Sequence, residues 1–199
     1  MSIKKRAFYF FCACCLLFSL VGCGKKEDTT LADGMFLMLS STVKGEAVET
    51  YEMYTLHAEI SDNGNVRIYA DDFNRWVPSD PCPEETVQLS ADTIQQIKDI
   101  IDEIDLYHMR RNIGSRDLKD GEYKELTLYT ASGEHVSGGL NPSNREFLKL
   151  YDYVEDQIRE VEYRYRTKIA EMQKKAISME QNKNCLLYTS PSPRDKRQS

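Results

Sequence analysis

Histidine is scarce in this chain and tryptophan nearly absent, with three of the first and one of the second in 199 residues. His57, His108 and His135 lie too far apart to give the paired ligands of a zinc site. No metal is therefore expected through them. Motifs for nucleotides and nucleophiles are missing too: there is no Walker lysine, no G-x-G-x-x-G and no G-x-S-x-G elbow. Six cysteines are present, but Cys12, Cys14, Cys15 and Cys23 crowd the N-terminus and Cys185 sits near the other end. Cys82 is then the sole thiol of the body, which excludes an intramolecular disulfide there and leaves stability to a packed core. In "SDPCPEE" it has no His, Lys or Arg beside it to activate the thiol. Long apolar runs are also wanting. The longest, "AFYFFCACCLLFSL", is too short and too sharply ended for a comfortable membrane span.

That run follows Lys4, Lys5 and Arg6, which is the charged-then-apolar plan of a secretory signal. It ends at Leu20-Val21-Gly22-Cys23, and "LVGC" resembles the lipobox of bacterial lipoproteins. The resemblance implies cleavage before Cys23 and a diacylglyceryl group on its thiol, making residues 1–22 a signal peptide and Cys23 the lipidated first residue. It further implies a protein anchored by its acyl chains at the extracytoplasmic face of the cell membrane. In a two-membrane organism Gly24, which is not aspartate, points to the outer membrane. Each buried CH₂ of such chains contributes about 0.8 kcal/mol, so no spanning helix is needed.

The last residues, "CLLYTSPSPRDKRQS", back-translate to TGT CTC TTA TAC ACA TCT followed by an index-like stretch. That resembles a transposase-type sequencing adapter read in frame. Residues 185–199 are accordingly set aside from fold reasoning, and Asn184 is where reliable reading stops.

The chain has 26 Lys and Arg against 32 Asp and Glu. Six of those basic residues lie in the two ends (Lys4, Lys5, Arg6, Arg194, Lys196, Arg197) and only one acidic residue does, Asp195. The body is thus markedly more acidic than the whole chain. Phosphate repulsion excludes nucleic acid as an expected partner, and an acidic body has no electrostatic affinity for anionic lipid.

Within the body, residues 23–30 read as a polar tether. "GMFLMLSSTV", "YEMYTLHAEIS" and "NVRIYAD" alternate with period two, as half-buried strands do, and Asn63-Gly64 supplies a tight turn between the last two. From Asp71 to Glu85 three prolines argue against a regular element. A helix is expected after Ser90, an N-cap, with Ile94, Ile97, Ile101 and Ile104 on one stripe. "KELTLYTA" and "EHVSGGL" form another hairpin. Ser143 and Glu146 have capping-box spacing before a long helix whose stripe runs through Phe147, Tyr151, Val154, Ile158, Val161 and Tyr165. The order β-β-β-α-β-β-α predicts an α+β domain over residues 31–165, an antiparallel sheet of about five strands with two helices on one face. Residues 166–184 form the distal part of the last helix, free to project or to pair with a partner helix.

Candidate sites are few. Phe73, Arg75 and Trp76 put aromatic rings and a guanidinium in one irregular loop, the residue types that dominate binding hot spots; a core plug is the alternative for Trp76. The distal helix offers Met172 and Met179 as a further surface. Carboxylates around Asp71, Asp72, Asp80, Glu84 and Glu85 offer oxygen ligands, but the spacing lacks the glycine and the terminal glutamate of an EF-hand loop. The glycines of "SGGLNPSN" precede a helix start, where an anion could sit, or serve a turn. No cofactor, catalytic residue or metal ligand is named. The expected function is a non-enzymatic domain binding a protein, peptide or envelope component, with a small envelope hydrolase using acidic residues as the alternative.

Overall fold

A computed structural model describes residues 28–44, 54–71, 83–115 and 120–189, with backbone alone at 43–44 and beyond Met179. The elements in order are β1 (Met35–Lys44), β2 (Thr55–Ser61), β3 (Asn65–Asp71), β4 (Glu84–Gln88), α1 (Ala91–Glu103), a single 3-10 turn (Leu106–His108), β5 (Gly121–Thr130), β6 (Gly133–Leu140) and α2 (Arg145–Thr189). Six strands form one sheet in the order β4-β3-β2-β1-β5-β6, every neighbouring pair antiparallel. The class is α+β, with one strand more than expected. The extra strand is β4, placed where the prolines argued against regular structure; it starts directly after Pro83, whose missing N–H costs nothing ahead of a strand.

Local chemistry sets the turns and caps. Gly64 takes φ +84° and its N–H bonds Ser61 O, while Asn63 Oδ1 accepts from Asn65 N–H, closing the β2–β3 hairpin. The Ser90 side chain accepts from Thr93 N–H at 3.1 Å, as its position predicts. At α2 the expected cap is displaced by one residue. Asn144, not Ser143, accepts from Phe147 N–H at 2.9 Å.

Period two sorts each strand into two faces. Leu37 and Leu39 of β1 lie opposite Ile60 and Ala58 of β2 and opposite Leu128 and Leu126 of β5, and all six are buried. Val66, Ile68 and Ala70 extend this face onto β3. A register shift between Met35 and Leu37 inserts Phe36 as well, so two successive residues are fully buried. Over this apolar face run both helices. Ile94, Ile97, Ile101 and Ile104 of the α1 stripe meet Phe147, Tyr151, Val154, Ile158, Val161 and Tyr165 of α2 in one core. Fully burying an aliphatic or aromatic side chain contributes about 1.5–3 kcal/mol, so this double stripe dominates the fold. Lys149 of α2 also pairs with Glu103 of α1.

Burial on α2 continues past the domain's expected edge. Ile169 and Gln173 are buried, Met172 and Ala176 pack against the core, and the first large apolar side chains exposed on this stretch are Ile177 and Met179. The distal surface expected at Met172 and Met179 is therefore half occupied. The α2 backbone stays helical through Asn184 to Thr189. Among the described residues no helix is long and apolar enough to cross a membrane.

Candidate functional site

With both helices on one face, the other face of the sheet is left to polar and aromatic side chains. Pairing sets them in rows. One row reads Glu84, Tyr69, His57, Ser40, Glu125, Gly138 across β4, β3, β2, β1, β5 and β6. The next reads Thr86, Arg67, Glu59, Met38, Thr127, Val136. Asp71 and Thr55 lie on one side of these rows, Tyr129 and Glu134 on the other.

Two networks occupy the rows. In the first, Ser40 Oγ lies 2.9 Å from His57 Nδ1, and His57 Nε2 lies 2.9 Å from Asp71 Oδ2. A carboxylate can only accept, so Nε2 donates to it, and in the neutral ring Nδ1 then accepts from the Ser40 hydroxyl. Serine, imidazole and carboxylate thus stand in the order of a hydrolytic triad. The surroundings do not complete one. Ser40 is only 4% exposed, and it sits in a strand paired on both sides, so neighbouring N–H groups serve the ladder and none is left to form an oxyanion hole. The chain of bonds fixes the imidazole; it does not expose a nucleophile.

In the second network, Glu59 accepts from Arg67 Nε and Nη2 at 2.9 and 3.2 Å and from Tyr69 Oη at 2.8 Å. Arg67 also reaches Glu84 at 3.3 Å and lies 4.5 Å over the Tyr69 ring. Tyr69 in turn stacks on His57, centroids 5.1 Å apart, which joins the networks. Burial works to raise the Glu59 pKa, but the Arg67 and Tyr69 hydrogen bonds and the Arg67 charge outweigh it and hold the carboxyl below its ordinary value. Tyr69 is pushed up to about 12 by burial, by its bond to Glu59 and by the charges of Glu59 and Asp71. Burial and the carboxylates Glu134, Glu59 and Glu125 raise Tyr129 in the same sense. The face is therefore acidic and aromatic, braced by Arg67.

The helix side has a polar cluster of its own. Lys124 of β5 sits 3.8 Å from Glu155 and 4.0 Å from Asp152 of α2, 3.5 Å from Glu122, and 4.6 Å over the Tyr151 ring. Arg166 pairs with Glu162 at 2.7 Å and donates to Ser41 at 3.1 Å. Burial raises the Glu155 pKa; Lys124 opposes this, and Glu162, Glu122 and Asp152 add to it.

Cys23, the loop residues Phe73, Arg75 and Trp76, and Cys82 lie outside the described residues. Of the acidic ligand candidates, Asp72 and Asp80 do too. Asp71, Glu84 and Glu85 are committed to His57, Arg67 and Lys168 respectively, and among the described residues no three His, Cys, Asp or Glu gather as a metal site. His108 bonds Asp105 on the surface and His135 bonds the Met109 carbonyl. The glycines expected to serve a turn or an anion site lie inside a strand. Gly138 and Gly139 lie within β6, where a Cβ would come within 2.4 Å of Lys124 O and 2.6 Å of Gly114 N respectively. Gly138 lets β6 close onto β5, and Gly139 lets the segment 111–115 press against the sheet edge. The Ser40, His57, Asp71 set escaped sequence reading because strand register alone assembles it.

No protein-family model matches the chain, and no curated protein matches it either.

Proposed function

We propose that this chain is a lipid-anchored extracytoplasmic bacterial lipoprotein, tethered through a diacylglyceryl group on Cys23, whose α+β domain is a non-enzymatic binding module of the cell envelope. The helix-free sheet face is its contact surface, and the partner is a protein or an envelope component, not nucleic acid. What carries this reading is the pairing of a lipobox-like "LVGC" with a sheet face whose polar groups are fixed by one another. Such a face is preorganised for recognition, whereas among the described residues no free N–H groups flank its Ser40–His57 pair as an oxyanion hole would.

Phe73, Arg75 and Trp76 belong to the reading by connectivity, since the segment holding them joins β3, ending at Asp71, to β4, starting at Glu84. In the contact role, Trp76→Ala keeps cooperative unfolding and loses partner capture. Loss of cooperative unfolding would make Trp76 a core plug instead. The anchor is tested separately. Cells given radiolabelled palmitate should label the wild-type protein and leave Cys23→Ala unlabelled, either released or retained as an unprocessed precursor. A Cys23→Ala protein that still carries label contradicts the anchor.

A second reading, a small envelope hydrolase working through acidic residues, has Glu155 in its favour. Its raised pKa and its place beside Glu162 and Tyr151 suit a general acid. Turnover of cell-wall oligosaccharides abolished by Glu155→Gln would establish this reading over the binding module. Absence of turnover in the wild-type chain removes it.

A further inference from the structure

The helix-free face is not flat. Beside β6 the row that runs through His57, Ser40 and Glu125 ends at Gly138, which has no side chain. The segment 111–115 lies alongside, bridged to Gly138 in parallel at Asn112, and between it and β5 opens a groove of about 550 Å³. This is within the size range of small-ligand sites.

Five side chains decide what the groove can hold: Arg111, Asn112 and Ser115 on one wall, Tyr123 and Glu125 on the other. Tyr123 Oη donates to Glu125 Oε2 at 2.9 Å, which steadies both and leaves Oε1 as the acceptor on that wall. Asn112 Oδ1 is taken by Gly114 N–H at 3.1 Å, so Asn112 offers its NH₂. Arg111 adds a second donor, and Ser115 can act either way. The main chain of the floor is spent. Ile113 N–H bonds Gly138 O, Gly138 N–H bonds Arg111 O, and Ser115 N–H bonds Leu140 O. An added peptide strand would find no backbone partners there. The charges of Arg111 and Glu125 offset each other across the groove, which gives no preference to a polyion.

We propose that this groove binds a neutral saccharide, with donors from Arg111 and Asn112 and the Glu125 carboxylate engaging vicinal hydroxyls and the Tyr123 ring lying against the sugar's apolar face. The proposal rests on the binding-module reading and names a ligand class for its surface. Alternation of donor and acceptor across a narrow gap matches adjacent hydroxyls, each of which both gives and takes a hydrogen bond. An aromatic wall matches the C–H face of a pyranose ring.

The test is calorimetric titration of the full-length chain in detergent with the N-acetylglucosamine tetramer and with maltotetraose. At least one should bind, and Glu125→Gln and Tyr123→Ala should each weaken it by about tenfold or more, as loss of a charge-assisted hydrogen bond or a ring contact does. Tyr123→Phe keeps the ring and folds as wild type if only the hydroxyl is removed, so it should retain the larger part of the affinity. Glu160→Ala, exposed on the outer side of α2, should leave affinity unchanged. Failure of both sugars to bind, or binding that Glu125→Gln and Tyr123→Ala leave intact, overturns the proposal. Displacement by a zwitterionic dipeptide in place of the sugars overturns the ligand class. Those results leave the wider reading standing if an envelope protein still crosslinks to the face, and its failure would show as loss of both.

Discussion

The Ser40 hydroxyl and the His57 ring meet at 2.9 Å across the β1–β2 pair, on the face the helices leave uncovered. Because Ser40 is buried, the contact is structural. His57→Ala strands the Ser40 hydroxyl without its partner and should destabilise the domain by about 1–3 kcal/mol, read from urea unfolding. Ser40→Ala on the His57→Ala background should then cost little more, since the two act as one unit. Fluorophosphonate probes should fail to label the protein, and labelling at Ser40 would show it to be a nucleophile.

Acid should act through Glu59. Its folded pKa is held below the ordinary value by Arg67 and Tyr69 against the opposing effect of burial. A carboxyl lowered on folding adds stability that is complete above its unfolded value, 4.5, and is lost as pH falls through the folded value. Stability measured from pH 6 downward should decline below about 4.5, and Glu59→Gln should flatten that decline. An unchanged acid limb in Glu59→Gln would assign the loss to other carboxylates.

Glu155 should behave oppositely. Burial raises its pKa despite Lys124 at 3.8 Å, so folding favours its protonated form and ionisation at neutral pH costs stability. Glu155→Gln should stabilise the domain at pH 7 and confer progressively less as pH falls through the raised folded value and then below 4.5, the unfolded value, where the wild-type carboxyl becomes protonated in both states. A destabilised Glu155→Gln at pH 7 would mean that its attraction to Lys124 outweighs burial.

The edge of the sheet depends on an absent methyl group. At Gly139 φ is +148° and a Cβ would meet Gly114 N at 2.6 Å. Gly139→Ala should cost about 2 kcal/mol or more from combined strain and overlap, and the amides of Ile113 and Ser115 should lose hydrogen-exchange protection first. Retained protection there would show that the 111–115 segment accommodates the change.

Much of the fold was legible because burial here follows simple periods. The stripes Ile94, Ile97, Ile101, Ile104 and Phe147 to Tyr165 are all in the core, and the strands of both expected hairpins are present. β4 was hidden because only Val87 of "EETVQ" is apolar, so its alternation has nothing to show, and the prolines ahead of it end before the strand begins. The α2 cap moved because Ser143 and Asn144 are both competent caps, and only the chain's entry angle chooses between them. The candidate site was less legible. Ser40, His57 and Asp71 are 17 and 14 residues apart in sequence, and register alone brings them together, as it brings Arg67 to Glu59. Length argues for ending the domain near Tyr165, and burial on the same helix continues to Ile169 and Gln173.

The most direct measurement is photo-crosslinking in intact cells, with the crosslinking residue placed at Thr86 or Tyr129 on the helix-free face, or at Glu160 or Arg164 on the outer side of α2. A binding module working through its open sheet predicts an envelope partner captured from Thr86 and Tyr129 and none from Glu160 and Arg164. Capture from α2 alone, or equally from both sides, would contradict it.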